Sequence, residues 1–169
     1  MHNLKELKKQ YEELGEEIER LEKKDVADND PIFLLSEEEY FKYKDRIPHI
    51  NCWWWWLCSP GNSDSNAAFV SSGGVDNKDG FYVGFNSIAV RPALWLSNLR
   101  SELPFGIGIK SCENYIVFNG VTWIKIDNDL YIAEVPIAFR RFDLESNDYE
   151  KSEIRKFLLE WFKERQKLN

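Results

Sequence analysis

Two hydrophobic periods divide the chain. Residues 3–24 set Leu4, Leu7, Tyr11, Leu14, Ile18 and Leu21 at intervals of three and four, a heptad seam on one face of a helix whose other positions are mostly Lys, Glu, Arg and Gln. Gly15 interrupts that helix at a cost of about 1 kcal/mol against alanine. The polar, acidic stretch Asp25–Pro31 ends in proline and is expected to stop it. The predicted organisation is therefore a helix over 1–25, a linker over 26–31 and a globular domain over 32–169. Two readings of the seam at residues 4–21 stay open. Either the helix folds back on its own domain, or it associates with a second copy or another partner. A parallel pair is disfavoured, because Glu17 of one chain would approach Glu22 of the other.

After Pro31 the period falls to two. Ile32–Leu35 predicts a short strand, and Ser36 with Glu39 makes a capping box for a helix reaching about Asp45, packed by Tyr40, Phe41 and Tyr43 and closed by Pro48. Four consecutive tryptophans, Trp53, Trp54, Trp55 and Trp56, put two indoles on each face of an extended strand, so both faces must be covered. Ser59-Pro60-Gly61 is expected to break that strand. Ala67–Val70 follows as a strand, Gly73-Gly74 and Asp79-Gly80 as turn pairs, and Phe81–Val83 as another strand. Ala89–Leu96 reads as one apolar strand, with Pro92 marking an edge or a bulge. Asn119-Gly120 between Tyr115–Phe118 and Val121–Ile126 is a hairpin signal, and Leu130–Val135 adds a third strand. Ser152 can cap a last helix that faces the sheet with Ile154, Phe157, Leu158, Trp161 and Phe162. The predicted class is α+β, a mixed or antiparallel sheet with two packed helices. Trp53–Trp56, Arg91, Trp95, Trp123 and Trp161 are expected to be structural. A buried Arg91 needs a carboxylate or carbonyl partner, and an ion pair that locks its strand is the expected form.

Composition narrows the function more than it names it. A chain of 169 residues with 43% hydrophobic and 15% aromatic residues can bury one core and carry one extension. A net charge of -7 argues against a surface that tracks phosphates, so direct nucleic-acid binding is not expected. There is no signal-like N-terminus and no long apolar span, and Cys52, Cys58 and Cys112 make an odd count; free thiols in a cytoplasm, away from membranes, are the expected setting.

Candidate chemistry is sparse. His2 and His49 sit in no catalytic or metal-ligating pattern, and no glycine-rich phosphate loop opens a helix. Cys52 and Cys58 lack the basic neighbours that activate a thiol. In the calcium-loop frame that makes Gly80 sixth, Val75 stands where a carboxylate is needed. No catalytic residue, metal or cofactor is expected, and the chain is not expected to be an enzyme. The loops from Gly61 to Asn86 are more informative. They join Asn62, Asp64, Asn66, Asp76, Asn77, Asp79 and Asn86 to Phe81, Tyr82 and Phe85, adaptable hydrogen-bonding groups beside rigid aromatics. The bland alternative is turn residues with core aromatics. A protein-binding surface is the expectation, with an acidic inhibitor of a bacterial defence nuclease (anti-CRISPR type), or a virion receptor or carbohydrate-binding module, as alternatives.

Phe33-Leu-Leu-Ser-Glu-Glu-Glu-Tyr40, the tryptophan strand ending in Leu57-Cys-Ser-Pro-Gly61, Ala68-Phe-Val70 and Val90-Arg-Pro-Ala-Leu-Trp95 together resemble one half of a bacterial and phage domain family of unknown function. Its members read FLLSxxEY, WWLRSPG, a Gly/Asn-rich hairpin and GVRPALW. Trp123-Ile-Lys-Ile-Asp127 and Tyr149-Glu-Lys-Ser-Glu-Ile-Arg-Lys-Phe-Leu158 resemble the other half. The family is similar to the C-type-lectin-like fold of formylglycine-generating enzymes and retroelement-diversified variable proteins. The halves stand here in reversed order, which implies a circular permutation with residues 97–114 as the new connection. Cys58 replaces the family's usual Arg, and Ala89 its Gly. The resemblance implies a binding scaffold whose loops hold the ligand. The tripeptides of calcium-dependent sugar binding and the motif of the formylglycine-generating enzymes are missing from this sequence.

Overall fold

A computed structural model describes residues 4–27, 30–50, 53–74, 76–103 and 108–167. The chain divides into two compact units, Met1–Asp30 and Pro31–Asn169. The first is a single helix, α1 (Leu4–Ala27), which runs through the expected start of the linker. Asp25 and Val26 are compatible with a helix interior, and the chain has no proline until position 31.

The second unit is α+β. Its strands are β1 (Trp55–Pro60), β2 (Asn66–Val70), β3 (Asp76–Tyr82), β4 (Ala89–Val90), β5 (Ala93–Trp95), β6 (Lys110–Ser111), β7 (Tyr115–Phe118), β8 (Val121–Lys125), β9 (Leu130–Ala133) and β10 (Ala138–Phe139). They form two five-stranded sheets, ordered β10-β4-β1-β2-β3 and β5-β9-β8-β7-β6. Every pairing is antiparallel except β1 with β4, where Trp55 lies opposite Ala89. Three further helices join them: α2 (Glu37–Tyr43), α3 (Leu96–Glu102) and α4 (Glu153–Lys167).

Alternation along β1 sorts its side chains into two cores. Trp56 enters a cluster with Phe69, Val90, Ile116, Trp123, Ile154 and Leu158, which joins the two sheets to α4. Trp55 and Leu57 enter the other, with Tyr40, Tyr43, Val70, Ala89 and Ile132, beneath α2. The indole N–H of Trp56 donates to the Arg140 carbonyl at 2.9 Å, so the largest core side chain is not left with an orphan donor.

The tryptophan run departs from expectation at its start. The strand begins at Trp55, and Trp53 and Trp54 remain about two-fifths exposed. Ser59-Pro60-Gly61 closes β1 as expected: the strand ends at Pro60, opposite Ala67, after a register shift beyond Trp56, and Gly61 lies outside it. Ser59 faces α2, where its hydroxyl accepts from the Glu37 N–H. The capping box of α2 forms as the spacing requires, with Glu39 N–H donating to Ser36 and Ser36 N–H to Glu39. Phe41 does not pack that helix. It faces outward beneath the ammonium groups of Lys44 and Lys78.

The segments expected to be single strands at 32–35 and 89–96 are in fact bridges between the sheets. Phe33 exchanges two backbone hydrogen bonds with Ala93 in one sheet, while Leu35 accepts from Cys58 in the other. The second run splits at Arg91-Pro92: β4 belongs to the sheet of β1, β5 to the sheet of β9. Arg91 holds the break. It is buried, donating through Nε to Ala133 O (2.8 Å) and through Nη1 to Pro48 O (2.9 Å), with its guanidinium 5.3 Å from the Trp55 ring centre. Its hydrogen-bond partners are carbonyls rather than the expected ion-pair carboxylate, and burial lowers its pKa to about 10. A planar fork with several fixed donors suits diverging carbonyls better than a point charge would.

Asp79-Gly80 makes a bulge inside β3 and not a turn. Ala67 pairs with Phe81 and Phe69 with Asn77, so β3 carries two more residues than β2 between these pairs. Gly80 takes φ +80, and a Cβ there would lie 2.6 Å from the Ala67 carbonyl. Asn119 and Gly120 turn the β7–β8 hairpin with φ of 53 and 72, as a two-residue hairpin requires. Trp95 stacks on Phe33, Trp123 is fully buried and Trp161 packs against the first core.

Candidate functional site

The loop between β1 and β2 is held by its own backbone. Gly61 N–H donates to Asn66 O (2.7 Å), Asn66 N–H to Ser63 O (3.1 Å) and Asn62 N–H across to Asp79 O (2.9 Å). Asn66 Nδ2 also donates to Asn62 Oδ1 (2.9 Å). Gly61 makes this possible, since a Cβ there would lie 2.6 Å from the Asp79 carbonyl.

A second fastening comes from far along the chain. Asn147 donates its backbone N–H to Asp64 O (2.9 Å) and its Nδ2 to Ser63 O (2.9 Å) and Asn66 O (3.0 Å). The segment carrying Asn147 is itself wound around Asp143, whose carboxylate accepts from the N–H groups of Glu145, Ser146 and Glu153. Burial pulls the Asp143 pKa upward, but these backbone donors outweigh it and hold it below the usual carboxylate range. Val83 closes the arrangement, donating to Ser65 O and accepting from Phe142 and Asp143.

On this frame lies a row of aromatic rings. Trp54 stacks on Phe69 with ring centres 5.0 Å apart and meets Phe81 edge-on at 5.7 Å; Phe81 meets Phe85 edge-on at 5.0 Å. Phe69 is buried and Phe81 half-buried, whereas Trp54 (40%), Phe85 (41%) and Tyr82 (54%) present large areas to solvent. The Tyr82 ring lies over Gly84, where a Cβ would come within 2.5 Å of it. Trp53 goes elsewhere, edge-on to Phe139 of β10 at 5.4 Å.

The predicted loop residues are thus partly gathered. Asn62, Asn66 and Asp79 surround the fastened loop, Asp64 is exposed on it, and Phe81, Tyr82 and Phe85 follow the bulge. Asn86 is exposed beyond them, accepting from Ser87 Oγ at 3.4 Å. Asn77 stands apart at the other end of β3, opposite Phe69. Asp76 is paired through its backbone with Val70, and its side chain lies outside the described residues, as do Val75 and Cys52. Sequence reasoning missed Trp54, assigned to the core, and Asn147, whose role depends on acceptors more than 80 positions away. For Trp54 the usable signal was its place at the beginning of a strand, where neighbouring strands cease to cover a face.

Other groups have structural partners. Burial pushes the Cys58 thiol up to about 12, with the Glu39 carboxylate adding to the shift, so it stays protonated at neutral pH. An open cleft of about 600 Å³ between α2 and the 71–74 turn is lined by Tyr40, Lys44, Arg46, His49 and Gly74 among others. Its side chains are engaged: Tyr40 donates to Gly74 O, Arg46 to Ile126 O at 3.2 Å, and His49 fills the space where a Cβ on Gly74 would lie. Among the described residues no three His, Cys, Asp or Glu side chains are grouped to hold a metal ion, and no helix is long and apolar enough to cross a membrane.

A family model, Domain of unknown function (DUF6273), matches residues 8–98, more than half of the chain. The chain belongs to this family. The DUF6273 match takes in most of α1, then α2, β1–β4 and β5, and so the whole aromatic row and the fastened β1–β2 loop. Asn147, which holds that loop, and Asp143, which shapes the segment carrying Asn147, lie outside it. No curated protein and no solved structure matches the chain.

Proposed function

We propose that this DUF6273 protein is a non-catalytic binding module that recognises a protein partner through the surface spanning residues 61–86. The observation that supports this most directly is the aromatic row whose ends, Trp54 and Phe85, are exposed and meet through Phe81, on a frame tied by Asn147, with Tyr82 exposed beside Phe81 in the chain and polar Asn62, Asp64, Asp79 and Asn86 in the same segment. Rigid aromatics lose little conformational entropy on docking and bury large areas, and a polar rim excludes water around them. Loops already fastened before docking reduce the ordering cost further. Exposed Asp64 and Asp79, with a net charge of -7, favour a basic partner surface; an intracellular inhibitor of a bacterial defence nuclease is the specific form this takes. The finer family reading belongs to the same proposal: a circularly permuted, C-type-lectin-like domain, encoded by a phage or mobile element and acting in the cytoplasm. The permutation rests on the reversed order of the two motif halves, the fold and origin on the motifs themselves, and the cytoplasmic setting on the odd cysteine count.

The test is affinity capture from a bacterial lysate with the intact chain and with a Tyr82→Ala/Phe85→Ala variant. A partner held by the intact chain and lost by the variant, with the unfolding midpoint unchanged, supports the proposal. Equal retention by both would sink it. Binding weakened by salt identifies the basic-surface form, whereas elution by free sugars identifies a carbohydrate module instead.

A further inference from the structure

Along α1 the side chains of Leu4, Leu7, Tyr11, Leu14 and Ile18 are exposed, from 39% at Leu7 to 75% at Tyr11. The sequence continues the same spacing to Leu21. A stripe at intervals of three and four is the seam of a two-helix coiled coil, with Leu4, Tyr11 and Ile18 at one of its two core positions and Leu7, Leu14 and Leu21 at the other. We propose that α1 pairs with α1 of a second copy of this chain, as an antiparallel coiled coil.

Charge chooses the direction. In a parallel pair, Glu17 meets Glu22 of the partner subunit, and symmetry repeats the repulsion. In the antiparallel pair, Leu4 lies opposite Leu21 of the partner subunit, Leu7 opposite Ile18 of the partner subunit, and Tyr11 opposite Leu14 of the partner subunit. Side chains on a helix lean toward its N-terminus, so Lys8 leans toward Glu22 of the partner subunit, again twice by symmetry. Gln10 meets Glu17 of the partner subunit, and no like charges face each other at the flanking positions. Opposed helix dipoles add to the preference. Gly15 falls beside the two-fold axis. Nothing lies within 4 Å of a Cβ built there, and without a side chain the two backbones can draw together. Three heptads bury on the order of 1,000 Å², the lower bound for a specific interface.

Sedimentation equilibrium of the full chain tests this. The intact chain is expected to pass from monomer to dimer as concentration rises. Leu14→Glu abolishes the dimer while leaving the urea unfolding midpoint of the globular domain unchanged. Glu22→Lys sets two lysines together in the antiparallel pair and weakens it on the order of tenfold. Adding Lys8→Glu to Glu22→Lys restores it. The proposal is overturned by a monomer at every concentration, which means that the stripe is covered in another way, or by a dimer that survives Leu14→Glu. A dimer tightened by Glu22→Lys overturns it as well, because only the parallel pair gains from that change.

Discussion

The Nε of Arg91 donates to the carbonyl oxygen of Ala133 at 2.8 Å. Arg91 stands where the chain leaves one sheet, and Ala133 ends a strand of the other. The bond, with its companion to Pro48, therefore ties the two sheets at the point where a single apolar run is divided between them. Replacing Arg91 by Met keeps much of the volume and leaves both carbonyls without a partner in a buried site. The expected loss is roughly 3 kcal/mol, read as a lower urea midpoint at unchanged slope. A midpoint within error of the parent would contradict this account of Arg91.

Trp54 and Trp56 are two positions apart and should respond to truncation to very different degrees. Trp56→Ala empties a fully buried site and orphans the Arg140 carbonyl, a loss of about 3–5 kcal/mol. Trp54→Ala removes a side chain that is already 40% exposed, so about 1 kcal/mol is expected, together with loss of partner binding. Chemical denaturation of the two variants in parallel checks the ranking.

Gly80→Ala forces a side chain into left-handed backbone and against the Ala67 carbonyl. A destabilisation of roughly 2 kcal/mol is expected, along with faster amide exchange at Phe81 and Tyr82 as the bulge yields. Unchanged exchange there would mean that the bulge does not depend on glycine.

The hydrogen bond from Arg141, made at 2.6 Å, holds Glu153 below its ordinary pKa. Because the folded-state value is depressed, the stabilisation is present above the unfolded pKa and is lost as pH falls through the folded one. Stability should therefore decline below about pH 4. Glu153→Gln should lower the midpoint at neutral pH and flatten this acid limb, as urea titrations at a series of pH values would show. An acid limb equally steep in the variant would assign the titration to other groups, Asp143 first among them.

Cys58 should be unreactive in the folded chain. With its pKa pushed up to about 12, almost no thiolate exists at neutral pH. Disulfide-reagent labelling of native protein should give the same rapidly reacting thiol count for the parent and for Cys58→Ser, with the difference emerging only in urea. A lost rapid phase in Cys58→Ser would refute the burial argument.

Features that depend on neighbouring residues were legible in the sequence. The capping box at Ser36 and Glu39, the Asn119-Gly120 hairpin and the apolar face of α4 each rest on local geometry that few residues satisfy. The sheet switch at Arg91-Pro92 was not legible. A run that alternates through one sheet and a run that crosses into another have the same pattern, and the choice rests with carbonyls at Pro48 and Ala133, about 43 and 42 positions away. Asp79-Gly80 misled for a related reason, since a two-residue hairpin turn and a glycine bulge both use positive φ and differ in what the partner strand does. For the candidate site, residue types in the loops pointed to residues 61–86, and the fold brings part of that set together around the β1–β2 loop. The fastening by Asn147 had no sequence signature, because an asparagine in a polar loop looks the same whether or not it has acceptors to reach.

The bulge in β3 has a bearing on how the protein survives at high concentration. β3 is the outermost strand of its sheet, and a flat outer strand offers its free amides and carbonyls as a template for fibril growth. Here the added residues at 78–80 throw the backbone out of flat register, and Lys78 and Asp79 put charge on the rim. The other outermost strands, β5, β6 and β10, are only two or three residues long. Straightening the kink and neutralising its two charged residues is expected to promote gelling or stacking on storage.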